Sequence, residues 1–171
     1  KEYSIKIESN NLTNPQLLHE DKIFKLLEGN EGIPNTFLFK NLGDESALVM
    51  DLLGPNFEDI LKDTKTKTFT LKTCLMTLKQ LIERLQIIHK EGIIHRDLKP
   101  ENLLVNKNVR NGIIYLIDYG LSKKYKDTKT DMHIPFRNDR QITGTIRYIS
   151  INTHKRSRSE QRRVGKECRS R

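Results

Sequence analysis

The stretch that decides how this 171-residue chain is interpreted is His95-Arg96-Asp97-Leu98-Lys99-Pro100-Glu101-Asn102. Before it, apolar residues recur at three- and four-residue steps from about residue 70 to residue 90, which predicts a long amphipathic helix. After it, two short apolar runs at 103–105 and 113–117 are separated by Asn111-Gly112, the pattern of a β-hairpin. The eight residues are therefore predicted to form a polar loop between a helix and a hairpin.

Upstream of the long helix, the sequence predicts strands and one shorter helix. Residues 3–8 alternate apolar and polar side chains, as a half-buried strand does. Asn14-Pro15 offers an N-cap followed by proline at the first helical position, and predicts a helix of about four turns that ends at Gly29. Strands are also predicted at 37–39 and 47–50, separated by a turn. The element order indicates an α+β fold.

The composition is that of a globular protein and excludes several classes. Hydrophobic residues make up 35% of the chain and charged residues 31%. No apolar run approaches the roughly 18 residues of a membrane span. The two cysteines, Cys74 and Cys168, form neither a disulfide framework nor a metal-ligand pattern. These features predict an intracellular protein of the cytoplasm or the nucleus.

The polar loop carries the residue types that phosphoryl transfer requires. Asp97 can accept a proton from an acceptor hydroxyl, Lys99 can stabilise charge on the transferred phosphate, and Asn102 can bind Mg²⁺. Asp118 opens Asp118-Tyr119-Gly120 at the end of an apolar strand, where a carboxylate can reach the same metal and glycine permits a sharp turn. Taken alone, each of these residues more often lies on the solvent-exposed surface or in a turn. Their joint order favours the chemical interpretation.

Short segments spread over residues 3–154 resemble those of a single enzyme family. They are Ile5-Lys6-Ile7-Glu8, Pro15-Gln16-Leu17, Gly32-Ile33-Pro34, Met50-Asp51-Leu52-Leu53-Gly54-Pro55, Gly120-Leu121-Ser122-Lys123-Lys124-Tyr125, His133-Ile134-Pro135-Phe136-Arg137, Thr143-Gly144-Thr145 and Ser150-Ile151-Asn152-Thr153-His154. The last segment is the most distinctive, because most protein kinases carry Ala-Pro-Glu at that place. The chain resembles the casein kinase I family of serine/threonine protein kinases. Tyr119 in place of the usual Phe, and Leu98, Glu101 and Leu103 in the loop, depart from that family and indicate a divergent subfamily.

The resemblance implies a two-lobed protein kinase fold. The N-lobe portion would occupy about residues 1–50, the hinge about 51–54 and the C-lobe portion about 55–154, with part of the N-lobe sheet, helices C and E, the catalytic loop and the activation segment. We expect this domain to be truncated at both ends. No glycine-rich phosphate loop precedes Lys6, and the remaining C-lobe does not follow His154. The 171-residue polypeptide by itself is therefore expected to be inactive.

The resemblance also implies a nucleotide site for ATP and Mg²⁺. Lys6 on the first strand and Glu20 on the next helix match the ion pair that holds the α- and β-phosphates through the lysine. The residues assigned to the adenine side are Met50 as gatekeeper, Asp51 and Leu53 in the hinge, and Leu104 and Ile117 in the pocket lining. For the last two, the alternative is ordinary core packing, and one residue can do both.

Protein substrates are the partners that the resemblance implies. Lys99, two residues after Asp97, is the choice of serine/threonine kinases rather than of tyrosine kinases. Arg147 matches an activation-segment arginine that binds a phosphate or an acidic group on the substrate, although it is equally well explained as a solvated loop residue. The family's preference for acidic or pre-phosphorylated sites agrees in sign with a basic cluster at Lys123, Lys124, Lys126 and Lys129.

The formal net charge of +9 is concentrated at the C-terminus, in residues 155–171. Such a basic tail can indicate nucleic-acid binding. However, residues 158–171 resemble a translated sequencing adapter, so we expect 155–171 to be a non-native tail and no nucleic acid to be a partner. The alternative is a divergent version of a family segment, Glu-Gln-Ser-Arg-Arg, represented here by residues 160–163.

The sequence thus predicts a non-specific serine/threonine protein kinase that uses ATP and Mg²⁺. The main alternative is a pseudokinase that acts as a scaffold, which the retention of Lys6, Glu20, Asp97, Asn102 and Asp118 disfavours. A second alternative is a kinase for lipids or small molecules. The Ser-Ile-Asn segment disfavours that reading.

Overall fold

The computed structural model describes residues 2–107, 112–127, 129–135 and 142–154. Asn111 of the predicted hairpin turn, the segment Phe136-Arg137 and the tail at 155–171 with Cys168 lie outside the described residues. Among the described residues, no helix combines the length and the apolar composition needed to cross a membrane.

A three-stranded antiparallel sheet forms the N-terminal part. Its strands are β1 (Tyr3–Ser9), β2 (Thr36–Asn41) and β3 (Glu45–Asp51), in the order β1-β3-β2. The turn between β2 and β3 is closed by Gly43, whose φ of 94° suits glycine and whose N–H donates to the side chain of Asn41 at 2.9 Å. All three predicted strands are confirmed, and each is slightly longer than its pattern indicated.

The apolar side chains of strand β1 are exposed, so the burial expected from a half-buried strand is not found on that face. Ile5 and Ile7 are each 60% exposed. Lys6 and Glu8, on the opposite face, bond to the helix that follows. These polar side chains face α1 because they have charged or N–H partners there, which alternation alone does not reveal.

Helix α1 (Leu17–Leu26) is shorter than predicted. It has ten residues, fewer than three turns, and begins after Gln16 rather than at Asn14-Pro15. The carboxylate of Glu8 accepts hydrogen bonds from the backbone N–H groups of Gln16 and Leu17, both at 2.8 Å. The Glu8 carboxylate thus caps α1 in place of the predicted Asn14. It also links α1 to the strand that carries Lys6.

Two helices precede the polar loop in the described C-terminal part. Helix α3 (Leu71–Lys90) confirms the predicted long helix, with Thr70 accepting from the N–H of Thr73 as N-cap. Helix α2 (Phe57–Asp63) was not predicted; its N-cap, Asn56, accepts from the N–H of Asp59 at 2.8 Å. Seven residues give too short a periodic pattern to separate from a polar loop.

Short antiparallel pairs frame the polar loop. Strand β4 (Ile93–Ile94) pairs with β7 (Lys123–Lys124), and β5 (Leu103–Val105) pairs with β6 (Ile114–Leu116). The β5–β6 pair confirms the predicted hairpin strands. The β4–β7 pair was not predicted, because two residues carry no readable alternation.

Buried polar contacts join the two parts of the chain. Arg84 of α3 is buried and bonds to Glu31 at 2.7 Å and to the carbonyl of Ile114 at 3.3 Å. Gly32 packs so closely on Arg84 that a side chain there would clash, and its carbonyl accepts from the N–H of Leu116 at 2.9 Å. These contacts hold the loop after α1 against α3 and β6, so that both parts contribute to one site.

Much of α3 faces solvent in spite of its apolar stripe. Only Arg84 and Ile88 are buried on this helix. The apolar side chains that remain exposed are Leu71, Leu75, Met76, Leu78 and Ile82. The helical periodicity was therefore predicted correctly, but most of the stripe is not covered by the residues described.

Candidate active site

The polar loop at 95–102, hereafter the catalytic loop, is closed by its own hydrogen bonds. A 3₁₀ turn at Pro100–Asn102 brings the Asn102 side chain back, and its Nδ2 donates to the carbonyl of Asp97 at 2.9 Å. Asp97 and Asn102 are both buried. Arg96 has a φ of 73°, a strained conformation that its side chain supports by donating from Nε to the carbonyl of Leu121. The loop is held in a single geometry by these contacts.

His95 ties the catalytic loop to the chain that leads to Asp118. Its Nε2 donates to the carbonyl of Ile117 at 2.9 Å, and its Nδ1 accepts from the N–H of Asp97 at 3.3 Å. Burial lowers the pKa of His95, and only the neutral ring can make both contacts. In the sequence His95 is one member of a motif, whereas in the structure it positions Asp97 and the chain before Asp118.

Asp97 is surrounded by donors. Its Oδ1 accepts from the N–H and the hydroxyl of Thr145, each at 2.8 Å, and its Oδ2 accepts from Lys99 at 2.8 Å. Burial acts to raise the pKa of Asp97, but the hydrogen bonds from Lys99 and Thr145 outweigh it and lower the pKa. Asp97 is therefore ionised at neutral pH and can accept a hydrogen bond from a substrate hydroxyl.

Thr145 is a residue of this site that the sequence analysis missed. Its hydroxyl donates to Asp97 and accepts from Lys99 Nζ at 3.2 Å, so it links the two side chains. The available signal was the segment Thr143-Gly144-Thr145, which was noted only as part of the family resemblance. Gly144 beside it has a φ of 98°, and a side chain there would meet the backbone of Arg96.

Lys6, Glu20 and Asp118, hereafter the lysine triad, meet from three distant segments. Lys6 Nζ lies 2.6 Å from Glu20 Oε2 and 3.2 Å from Asp118 Oδ1. Burial acts to lower the pKa of Lys6, but Glu20 and then Asp118 raise it above its ordinary value. The structure thus brings the predicted lysine and glutamate together and adds Asp118 to the pair.

The segment that carries Asp118 is anchored on α1 as well. Glu20 Oε1 accepts from the N–H of Tyr119 at 3.2 Å, and Asp118 has a φ of 65°. The Tyr119 ring is fully buried, edge-on to Phe24 at 5.2 Å and to His95 at 5.0 Å. Burial raises the pKa of Tyr119 well above its usual value, and its hydroxyl has no hydrogen-bond partner among the described residues. Tyr119 therefore packs as an aromatic residue of the core.

The oxygens near the lysine triad suit Mg²⁺ bound together with phosphate. The Asn102 amide nitrogen is used within the loop, which leaves its Oδ1 as the atom for a metal, and the Asp118 side chain is 37% exposed. In the described part of the chain, no cluster of three or more His, Cys, Asp or Glu could hold a metal by itself. Mg²⁺ commonly takes one or two protein oxygens and completes its shell with water and phosphates, so this donor set fits it.

The residues predicted for the adenine side lie around the junction of the two parts. Met50 is buried on β3, and the Asp51 carboxylate accepts from the N–H and the side chain of Asn35 at 2.9 and 2.8 Å. Gly54 N–H donates to the carbonyl of Val105 at 2.9 Å, which places the predicted hinge on β5. Three of the predicted residues are partly buried: Leu53, Leu104 and Ile117. Their contact with adenine stays a prediction.

Arg147 lies apart from these contacts, on an exposed 3₁₀ turn at Ile146–Tyr148. Its guanidinium is 5.5 Å from the centre of the Tyr148 ring. A role in binding a substrate anion stays a prediction as well.

A model of the protein kinase domain matches residues 2–160. Since the match covers most of the chain, the chain belongs to the protein kinase family. This agrees with the mixed α+β architecture and with the catalytic loop geometry. Phosphoryl transfer is the general activity of the family, and protein kinase domains generally use ATP and Mg²⁺.

Proposed function

We propose that the full-length protein is a serine/threonine protein kinase of the casein kinase I type, which transfers the γ-phosphate of ATP to hydroxyl groups of proteins. The observation that carries this proposal is the lysine triad. Lys6 Nζ bonds to both Glu20 and Asp118, although Asp118 lies 112 residues further along the chain than Lys6. A lysine held in this way keeps its charge and its position, and both are needed to bind phosphates.

The side chains around the catalytic loop have complementary tasks in this reaction. The substrate hydroxyl donates to Asp97, its oxygen forms the new bond to the γ-phosphorus, and the bond from that phosphorus to the bridging oxygen of ADP breaks. The hydroxyl proton passes to Asp97 as negative charge spreads over the transferred group, beside Lys99. Mg²⁺, bound by Asn102 and Asp118, would supply positive charge next to the phosphates.

The low pKa of Asp97 favours orientation over strong basicity. A carboxylate that Lys99 and Thr145 stabilise gains little from taking a proton early. In a loose transition state the hydroxyl needs alignment more than prior deprotonation, which suits a weak base in a fixed position.

Serine/threonine selectivity and acidic substrates are the finer parts of the proposal. Lys99, which bridges Asp97 and Thr145, supports the first together with the family resemblance. The basic side chains Lys123, Lys124, Lys126, Lys129 and Arg147 support a preference for acidic or phosphorylated sequences. Lys126 pairs with Asp131, so part of that charge is used within the chain. Cytoplasmic or nuclear localisation is proposed with them.

The deciding experiment is a phosphotransfer assay of the purified full-length protein on a peptide library with serine, threonine or tyrosine as the only acceptor. We expect transfer to serine and threonine, and a loss of about 10²- to 10⁴-fold in Asp97→Asn with nucleotide binding retained. Undiminished transfer in Asp97→Asn would remove the proposed role of Asp97. Binding of Mg·ATP by the wild-type protein without any transfer would favour the pseudokinase alternative.

We also infer that the 171-residue polypeptide is inactive by itself. The supporting observation is the exposed apolar side of α3, where Leu71, Leu75 and Leu78 are each more than half exposed. An apolar surface of this kind promotes association. Cooperative unfolding together with ATP-dependent phosphotransfer by the purified polypeptide would contradict this inference.

A further inference from the structure

We propose that His19 is a positioning residue, which holds α1 on the segment after Asp118 and thereby places Glu20 against Lys6. The proposal rests on the proposed phosphotransfer function. His19 precedes Glu20 on α1, and its Nε2 lies 3.0 Å from the carbonyl oxygen and 3.2 Å from the hydroxyl of Ser122. A carbonyl oxygen can only accept, so Nε2 carries the hydrogen in this contact.

One face of α1 contacts the segment 119–122. Gln16, His19 and Glu20 are spaced i, i+3 and i+4, so their side chains share one side of the helix. Glu20 accepts from the N–H of Tyr119 at one end of the segment, and His19 bonds to Ser122 at the other. Between them the Gln16 side chain lies so close to Gly120 that a Cβ there would come within 2.6 Å of it.

The segment 119–122, which this face contacts, forms a compact turn. Ser122 N–H donates to the carbonyl of Tyr119 at 2.9 Å, and Ser122 is buried. Asp118 directly precedes the turn and bonds to Lys6. A shift of α1 relative to this turn would therefore change both distances at Lys6, the one to Glu20 and the one to Asp118.

The contact of His19 is not needed for α1 to fold. The helix is anchored in the core by Leu17, Ile23 and Phe24, and its first N–H groups are capped by Glu8. Without His19 we expect α1 to stay folded and packed, while the rotation that places Glu20 is less well defined. The effect should thus fall on the lysine triad rather than on global stability.

The test compares His19 variants of the full-length protein with the wild type. His19→Leu and His19→Asn remove the donor or shorten its reach, His19→Gln keeps an N–H near the position of Nε2, and Lys22→Leu is a control at an exposed position of the same helix. We expect His19→Leu and His19→Asn to lower kcat/KM for ATP by about 10-fold or more, with little change in unfolding temperature. His19→Gln should regain most of the loss, and Lys22→Leu should match the wild type.

A second readout does not depend on catalysis. Amide hydrogen exchange at Tyr119, whose N–H is bonded to Glu20, should be faster in His19→Leu and His19→Asn and close to wild type in His19→Gln. A wild-type exchange rate at Tyr119 in both His19→Leu and His19→Asn would overturn the proposal. An exchange rate in His19→Gln as fast as in those two variants would also overturn it. If the wild-type protein transfers no phosphate, the proposed function fails, and the exchange data still decide whether His19 positions Glu20.

Discussion

The catalytic loop and helix α1 reach the same site by different means. The loop closes on itself through the contact from Asn102 to Asp97, and further hydrogen bonds to the later segments at Ile117 and Thr145 hold its side chains in place. Helix α1 reaches the site through side chains that touch distant segments, Glu20 at Lys6 and His19 at Ser122. A loop of the first kind is preorganised for chemistry. A helix of the second kind is held at the site by contacts with other segments, so the proposed nucleotide site depends on its docking.

The Asp118 carboxylate serves both the proposed metal site beside the catalytic loop and the lysine triad that α1 completes. Its removal should therefore have the largest effect. We expect Asp118→Asn to reduce phosphotransfer by about 10³-fold or more, because one change weakens the metal site and removes a partner of Lys6. Rates would be measured with saturating Mg²⁺ and ATP. Asp63→Asn, at an exposed end of α2, is the matched control and should keep the wild-type rate. A wild-type rate in Asp118→Asn would show that the two regions do not share this carboxylate.

The pair Lys6 and Glu20 tests whether α1 acts through one ion pair. Lys6→Met and Glu20→Gln should each lower kcat/KM for ATP by about 10²-fold. The double variant should lose little more than either single variant, since the two side chains act as a unit. Steady-state kinetics of the four proteins provide the double-mutant cycle. Additive losses would mean that Glu20 acts on the site by some other route.

Thr145 is distant from the catalytic loop in sequence, yet it bonds to Asp97 and lowers the pKa of that carboxyl. Its hydrogen bonds help to lower the pKa of Asp97, so Thr145→Ala should raise that pKa. Asp97 must be ionised to act, and activity is lost as the pH falls through its pKa. The acidic limb of the pH profile of kcat/KM should therefore move to higher pH, by about one unit or less. Thr145→Ser keeps the hydroxyl and should leave the limb in place; an unchanged limb in the alanine variant would contradict the assignment.

Tyr119 should give the smallest effect, and one on stability rather than on rate. Its buried hydroxyl has no partner among the described residues, so Tyr119→Phe should raise the free energy of unfolding by about 1 kcal/mol. The ring contacts with Phe24 and His95 are kept. Calorimetry of the full-length protein measures the change, with Tyr115→Phe, at a half-buried position of β6, as control. A loss of stability in Tyr119→Phe would mean that the hydroxyl has a bonding partner.

Several parts of the fold and site were predictable because their signals are local. The periodicity of α3 and its Thr70 cap lie within one continuous stretch, and the start of the helix was predicted to within one residue. The order of Asp97, Asn102 and Asp118 is equally local and indicated phosphoryl transfer. Helix α1 was placed less well, since its cap is a carboxylate on another element, Glu8. Helix caps drawn from distant residues leave no pattern in the helix sequence itself.

Residue types and short spacings along the chain were enough to predict the general phosphotransfer activity and most of the elements of this protein kinase domain, because both leave local signals. The folded structure was needed to show which face of β1 meets α1, that Asp118 joins Lys6 and Glu20, and that Thr145 holds Asp97 from 48 residues away. Hydrogen bonds and ion pairs act over short distances in space, whatever the number of residues between the two partners along the chain. Their partners are therefore set by how the elements pack, and packing is what a single sequence shows least directly.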